Sequence, residues 1–210
     1  MLDMDLAKMP CAKNTNFKHG IYSLYVKFIL GLQNKTIQSK DCLKLLILLH
    51  FAIMKPQDIF MQEAVTLSRR YMEQGQGGPF GCVVVRNGEI VGRGWNGVLA
   101  ANDPTAHAEI MAIRDACARL GTYQLAGCEL YTSCEPCPMC MGAIYWARPD
   151  MVYYANTRAD AAGLGFDDSF IYEELMLPLD QRKIPMVAMD KEAALEVFRA
   201  WAVKEDKEQY

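Results

Sequence analysis

Two short segments decide the interpretation of this 210-residue sequence: HAE at residues 107–109 and PCPMC at residues 136–140. Each segment lies at the beginning of a predicted helix. Cys137 and Cys140 are three residues apart, so both thiolates lie on one face of the first helical turn and can bind one metal ion. His107 supplies a nitrogen ligand from the neighbouring helix. Three protein ligands leave one position of a tetrahedral zinc ion open for water, which is typical of a catalytic rather than a structural site.

Glu109 lies two residues beyond His107 and therefore points away from the metal ligand. It can take a proton from the water and pass it to a leaving nitrogen instead of binding the metal. His-x-Glu followed by Pro-Cys-x-x-Cys is the spacing found in zinc-dependent deaminases. A structural zinc ribbon would need a second Cys-x-x-Cys pair, and a thioredoxin-like redox site would not need His107 and Glu109. Cys134, three residues before Cys137, is expected to line the wall of the site.

Outside these segments, hydrophobic periodicity from residue 56 onward alternates between helices and strands. Helices are predicted over residues 56–74, 105–120, 136–147 and 190–203, and strands over 80–86, 89–95, 128–132, 151–155 and, at an edge, 187–189. Asn87-Gly88 joins the first two strands as a two-residue hairpin turn. The residues expected to be buried are Ile59, Phe60, Ala64, Leu67 and Tyr71 in the first helix, and Ile110, Ile113, Cys117 and Leu120 in the second. The alternation predicts an α/β fold, a three-layer α/β/α sandwich around one mixed sheet.

Charge and composition exclude several classes of function. Residues 55–210 carry 15 basic and 22 acidic side chains, a net charge of −7, so they lack the cationic excess that binds nucleic acid and favour a small, weakly charged ligand. The longest strongly apolar run, residues 43–54, spans 12 residues, whereas a membrane span needs about 18–20. Eight cysteines without a convincing signal peptide fit a reducing, cytoplasmic protein.

The composition, charge and hydrophobic periodicity of the sequence change near residue 54. Residues 1–54 are rich in lysine and asparagine, carry a net charge of +4 and show little periodicity. We expect them to be an extension outside the functional domain, either the product of an early translation start or a loosely packed segment that is really made. Residues 55–210 are predicted to be the zinc-binding catalytic domain.

Five segments and the last residue carry a resemblance to a known family. They are GGPFG at residues 77–81, NDPTAHAE at 102–109, TSCEPCPMC at 132–140, GAIYWAR at 142–148, GFDDSFIY at 165–172, and Tyr210. Over residues 56–210 the chain resembles bacterial guanine deaminases of the cytidine-deaminase-like superfamily. The first three segments are shared with other purine and tRNA deaminases, so the last two and Tyr210 are the narrower signal. Residues 1–54 have no counterpart in this resemblance.

The resemblance implies zinc-dependent hydrolysis of guanine to xanthine and ammonia, with one Zn²⁺ per subunit. It also implies a homodimer in which the C-terminal segment crosses to the partner subunit as a domain swap. The residues it assigns are Glu109, Asp168 and Tyr210 to catalysis, His107, Cys137 and Cys140 to the metal, and Asn96, Ala108, Phe80 and Trp146 to substrate binding.

Other interpretations remain open at this point. A tRNA adenosine deaminase or another nucleobase deaminase shares the zinc machinery, and a non-catalytic zinc module would keep the metal without the activity. Single residues also have plain structural alternatives. Asn96 could form a turn, Phe80 and Trp146 could be core aromatics, Asp168 could cap a helix, and Tyr210 could be a frayed chain end.

Overall fold

The computed structural model describes residues 56–208. The predictions for the N-terminal extension and for Tyr210 lie outside the described residues. The helices are α1 Pro56–Glu73, α2 Val98–Ala101, α3 Ala108–Leu120, α4 Pro138–Ala147, α5 Arg158–Ala162, α6 Ser169–Met176 and α7 Lys191–Val203, with a 3₁₀ turn at Leu179–Gln181. The strands are β1 Gly81–Arg86, β2 Glu89–Trp95, β3 Cys128–Cys134 and β4 Met151–Asn156. Within this part of the chain, no helix is long and apolar enough to span a membrane.

The four strands form one mixed sheet in the order β2-β1-β3-β4. β1 pairs antiparallel with β2 and with β3, while β3 and β4 run parallel. The predicted hairpin is confirmed, since Asn87 and Gly88 have φ values of 52° and 79° and connect β1 to β2. Positive φ at both central residues is what the tightest hairpin turns require.

Helices cover both faces of this sheet, as the three-layer prediction requires. Val83 and Val85 of β1 pack with Leu67 of α1 and Tyr131 of β3 on one face. Side chains of β1 that point the other way join a second core with α3 and α4, made of Cys82, Val84, Ala108, Ala112, Ala116, Leu125, Cys128, Leu130, Ile144 and Ala147. The α/β/α architecture follows from this alternation along β1.

The contact between α3 and β2 is very close, and it changes which residues of α3 are buried. The buried apolar residues of α3 are Ala108, Ala112 and Ala116, whereas the predicted Ile110, Ile113, Cys117 and Leu120 are only partly buried. A Cβ atom at Gly92 would lie 2.7 Å from the Ala116 Cβ, and one at Gly94 would overlap the Ala108 carbonyl oxygen. Because these glycines have no side chain, the helix backbone lies directly on the strand and only alanines fit between them.

Other boundaries and contacts also differ from the sequence predictions. α3 begins at Ala108 and α4 at Pro138, so His107 and Cys137 are N-cap residues rather than helical residues. In α1, Ile59 is 43% exposed and is not part of the core, whereas the next residue, Phe60, packs against Tyr131 of β3. The prediction of a strand at 187–189 is wrong: among residues 56–208, this segment forms no strand and pairs with none.

Candidate active site and metal centre

The HAE segment at residues 107–109 and the PCPMC segment at 136–140 lie next to each other at the N-terminal ends of α3 and α4. His107 Nδ1 lies 3.5 Å from the Sγ atoms of both Cys137 and Cys140. All three candidate ligand atoms lie within 4.8 Å of one another. Zinc–sulfur bonds of about 2.3 Å and zinc–nitrogen bonds of about 2.0–2.1 Å at tetrahedral angles place nitrogen and sulfur ligands about 3.5 Å apart. The residues therefore fit a zinc ion held by one imidazole and two thiolates.

The local structure explains why these side chains converge. His107 and Cys137 have extended backbone angles as N-cap residues, and Cys140 follows in the first turn of α4. Pro138 occupies the first turn of α4, where a missing N–H costs nothing. The N-terminal ends of two helices, which carry partial positive charge, thus lie beside the thiols and favour thiolates there.

Interactions within the cluster shift the pKa values of Cys137 and Cys140 in opposite directions. The Cys140 thiol and then His107 lower the pKa of Cys137 to about 4, against the opposing effect of burial. The pKa of Cys140 is raised, first by its interaction with Cys137 and second by burial. The bond to Cys137 also raises the pKa of His107. Cys137 is therefore poised as a thiolate, and metal binding must release the proton of Cys140.

Glu109 lies beside the cluster without joining the ligand set. Its carboxyl group is buried, with 6% of the residue exposed. One oxygen accepts a hydrogen bond from Thr132 Oγ1 at 3.1 Å, and the other accepts from Cys140 Sγ at 3.4 Å. Burial raises its pKa. A buried carboxyl group that is oriented by the Thr132 hydroxyl and easily protonated has the properties of a proton carrier.

A cavity of about 240 Å³ opens over the cluster. Besides His107 and Cys137, its lining includes the predicted residues Phe80, Asn96, Ala108, Glu109 and Asp168. The volume lies below the roughly 300–1,000 Å³ of ordinary ligand pockets, so the cavity suits one small molecule rather than a polymer.

The position of Asp168 bears on its alternative role as a helix cap. It stands at the N-cap of α6, yet its side chain makes no capping hydrogen bond. Instead, Asp167 accepts a hydrogen bond from the Ser169 N–H at 2.9 Å. The Asp168 carboxyl group lines the cavity, and burial raises its pKa.

The remaining predicted site residues lie elsewhere. Trp146 is 65% exposed on α4 and is not part of the cavity lining. Tyr210 lies outside the described residues. Cys134 lines the cavity, as predicted, and its thiol donates to the Thr157 carbonyl oxygen at 3.6 Å.

Several cavity residues were not singled out from the sequence, and Phe166 and Arg158 are two of them. Phe166 meets the Phe80 ring edge to face, with centroids 5.0 Å apart, and Arg158 reaches the cavity from the start of α5. Phe166 lies within the GFDDSFIY segment, two residues before Asp168, and that proximity was the available signal. Arg158 follows β4 with no motif to mark it.

Comparison with known proteins agrees with this geometry. Residues 54–156 match the family described as the cytidine and deoxycytidylate deaminase zinc-binding region. A guanine deaminase from Bacillus subtilis is 53% identical over 153 residues, which are 73% of this chain and 98% of that protein. Its crystal structure superposes with a TM-score of 0.71, with the same coverage of both chains.

Two more distant relatives extend the comparison. A tRNA-specific adenosine deaminase from Aquifex aeolicus is 41% identical over 99 residues, which are 47% of this chain and 65% of that protein. A solved structure in complex with 2,6-diaminopurine is 35% identical, with a TM-score of 0.52, and the match covers 54% of this chain and 63% of that one. The high identity over nearly the whole Bacillus subtilis protein decides the assignment: this chain belongs to the guanine deaminase family, within the cytidine and deoxycytidylate deaminases.

Proposed function

We propose that this protein converts guanine and water into xanthine and ammonia. The observation that carries the proposal is a small cavity that brings together a zinc-type ligand triad, the buried Glu109 carboxyl group and the Asn96 amide. The similarity to the Bacillus subtilis guanine deaminase, and the purine held by a related structure, support guanine as the base. Six described cysteines are free thiols, which supports a reducing, cytoplasmic setting. The proposed reaction would give the protein a role in purine breakdown.

Different residues would bind the metal and transfer the protons in this reaction. His107, Cys137 and Cys140 would hold one zinc ion per subunit, which would lower the pKa of a water molecule to near neutrality. Glu109 takes one proton from the attacking water and passes it to the ring nitrogen. It then takes the second proton from the hydroxyl group formed on the ring carbon and gives it to the amino group, which departs as ammonia. The hydrogen bond from Thr132 Oγ1 keeps its carboxyl group oriented for both transfers.

Other side chains would bind the base. Ala108 is the first residue of α3, where backbone N–H groups have no acceptor inside the helix and can donate to a purine. Phe80 bounds one face of the cavity. Asp168 and, from the C-terminus, Tyr210 are proposed to hold the amino group of guanine and relay its protons. Trp146 is proposed as a second aromatic wall.

We also propose a homodimer with exchanged C-terminal segments. The segment after residue 168 leaves large apolar side chains in water, among them Phe170, Met176, Ile184, Val187, Met189 and Phe198. β4 is an edge strand that pairs only with β3 among the described strands, and Trp146 of α4 is also exposed. Apolar surface and an open strand edge of this extent support coverage by a second copy.

One assay separates the proposed reaction from its alternatives. Zinc-loaded protein is offered guanine, adenine, cytosine and transfer RNA in parallel, and ammonia release is measured. We expect release from guanine. Release from transfer RNA alone would favour the adenosine deaminase reading suggested by the Aquifex aeolicus relative, which the net charge of −7 over residues 55–210 opposes. Release from none of them would favour a non-catalytic zinc module.

A further inference from the structure

Arg158, the first residue of α5, brings a positive charge to a cavity whose other charged side chains are mostly acidic. It is the only lysine or arginine among the described residues that line the cavity. The carboxyl groups in the same lining are those of Glu109, Glu135, Asp167 and Asp168. Because a cation attracts carboxylates over several ångströms, Arg158 is a candidate for holding one of them in place.

The backbone of Arg158 is fixed to the ends of two strands. Its N–H donates to Glu135 Oε2 at 3.0 Å, just after β3. The Glu135 N–H in turn donates to the carbonyl oxygen of Asn156, the last residue of β4, at 2.8 Å. Thr157 and Asp160 form a capping box around the start of α5. The Arg158 side chain therefore extends from a point that the sheet holds in place.

The side chain of Arg158 contacts α6. Its Cζ atom lies over the Tyr172 ring, 4.9 Å from the centroid, which is within the range of about 6 Å for a cation–π interaction. Asp168 is the N-cap residue of α6 and precedes Tyr172 by four residues, about one helical turn, so the two side chains lie on the same side of the helix. All three residues also line a second cavity together. The guanidinium group of Arg158 is therefore close to both ends of this turn.

The position of α6 depends on contacts of this kind. The helix has eight residues, Ser169–Met176, and none of them is buried. Isolated helices shorter than about 12–15 residues are marginal in water, and tertiary contacts supply most of their stability. The Asp168 side chain makes no capping hydrogen bond that would hold it to the helix. What fixes the Asp168 carboxyl group beside the cavity must therefore come from outside α6.

We propose that Arg158 is a positioning residue, which holds the start of α6 beside the cavity by packing on Tyr172 and stabilises the Asp168 carboxylate there by its charge. The electrostatics agree with this role. Burial, and then Cys137, raise the pKa of Asp168, whereas Arg158 lowers it. The inference rests on the proposed function, in which Asp168 holds the amino group of guanine, and it adds the residue through which that carboxylate is positioned.

Hydrogen–deuterium exchange tests the contact without relying on activity. Amide exchange of residues 169–176 is compared in zinc-loaded native, Arg158→Gln and Tyr172→Leu proteins. Both substitutions remove the cation–π contact, so we expect α6 to exchange about 2-fold to 5-fold faster. Arg119→Gln is the matched control, because it removes the same charge from a surface pair with Asp115 on α3 and should leave α6 unchanged. Equal exchange in all four proteins would overturn the inference.

Kinetics with guanine test whether Arg158 acts through Asp168. Arg158→Gln should lower kcat/KM for ammonia release roughly 5-fold. Arg158→Lys keeps the charge but not the flat guanidinium group, so its kcat/KM should lie between those of the glutamine variant and the native protein. In an Asp168→Asn background, Arg158→Gln should change kcat/KM by less than about 2-fold, because the carboxylate that it positions is gone. An equal loss in both backgrounds would leave Arg158 with a structural role only and would overturn the inference.

Failure of this inference and failure of the proposed function give different results. If the native protein releases no ammonia from guanine, the proposed function is wrong, and the exchange of residues 169–176 still decides whether Arg158 holds α6. If the native protein is active and neither α6 exchange nor kcat/KM responds to Arg158→Gln, only the role of Arg158 is wrong.

Discussion

Replacing Gly94 by alanine tests whether the close contact between β2 and α3 sets the geometry of the metal site. The added Cβ would lie closer than 3.0 Å to the Ala108 carbonyl oxygen and the Ala112 nitrogen, and 3.0 Å from the Ala112 Cα. All three atoms are helix backbone, so no side chain can turn away. Restoring ordinary contact distances requires α3 to move outward by about 1 Å, which forfeits a quarter to a half of the dispersion energy across that interface.

The expected cost can be stated from these contacts. Overpacking of a core by one methyl group costs about 1–3 kcal/mol, and a rigid backbone neighbour places Gly94→Ala at the upper end, about 3 kcal/mol. His107 and Glu109 stand at the start of α3, whereas Cys137 and Cys140 belong to the start of α4. Since metal–ligand distances tolerate only about 0.2 Å, a 1 Å shift should weaken zinc binding at least 10-fold.

Urea unfolding of the Gly94→Ala protein and zinc competition against a chelator measure the two effects. Gly142→Ala is the matched control, because it adds the same methyl group inside α4 with no atom within 4 Å. Helix propensity predicts that this control is stabilised by about 0.5–1 kcal/mol. A Gly94→Ala protein within about 0.5 kcal/mol of the native one, with unchanged zinc affinity, would refute the argument that α3 lies on β2 without room for a methyl group.

Four further outcomes are expected. Glu109→Gln should keep the fold and zinc content but lower ammonia release from guanine by roughly 10²–10⁴; near-native rates would remove Glu109 from the reaction. Exhaustive chelation should abolish turnover, and stoichiometric zinc should restore it, whereas full activity in metal-free protein would contradict the metal site. Deleting Tyr210 should leave zinc bound and sharply reduce guanine turnover, which normal kinetics would disprove. Mixing inactive Glu109→Ala chains with inactive tail-deleted chains should recover some activity, and no recovery in proven heterodimers would count against the exchanged segment.

Local signals in the sequence were sufficient for much of the fold and for the convergence of the candidate metal ligands. The Asn87-Gly88 turn predicted the β1–β2 hairpin because few dipeptides accept positive φ at both positions. The spacing of Cys137 and Cys140 predicted their convergence because a helical turn fixes it. Both inferences needed only neighbours within a few residues.

Features that depend on distant contacts were missed or misplaced. The buried alanines of α3 could not be distinguished from its larger apolar residues without knowing that Gly92 and Gly94 lie opposite them. Phe166 lines the cavity because it packs on Phe80, which lies 86 residues earlier in the chain. Such pairings are set by tertiary packing, which leaves no periodicity in either segment.

Residues 187–189 show a different kind of mismatch between sequence and structure. The segment has the composition of a strand, and yet the single chain leaves it unpaired, with Val187 80% exposed. A strand gains its hydrogen bonds only from a neighbour, and β4 has an open edge that could supply them. Under the proposed exchange of C-terminal segments, the strand signal and the open edge belong to two different chains. A sequence selected to fold as a dimer should carry a strand signal of this kind. The signal stays unpaired in one chain alone, because its partner strand belongs to the other chain.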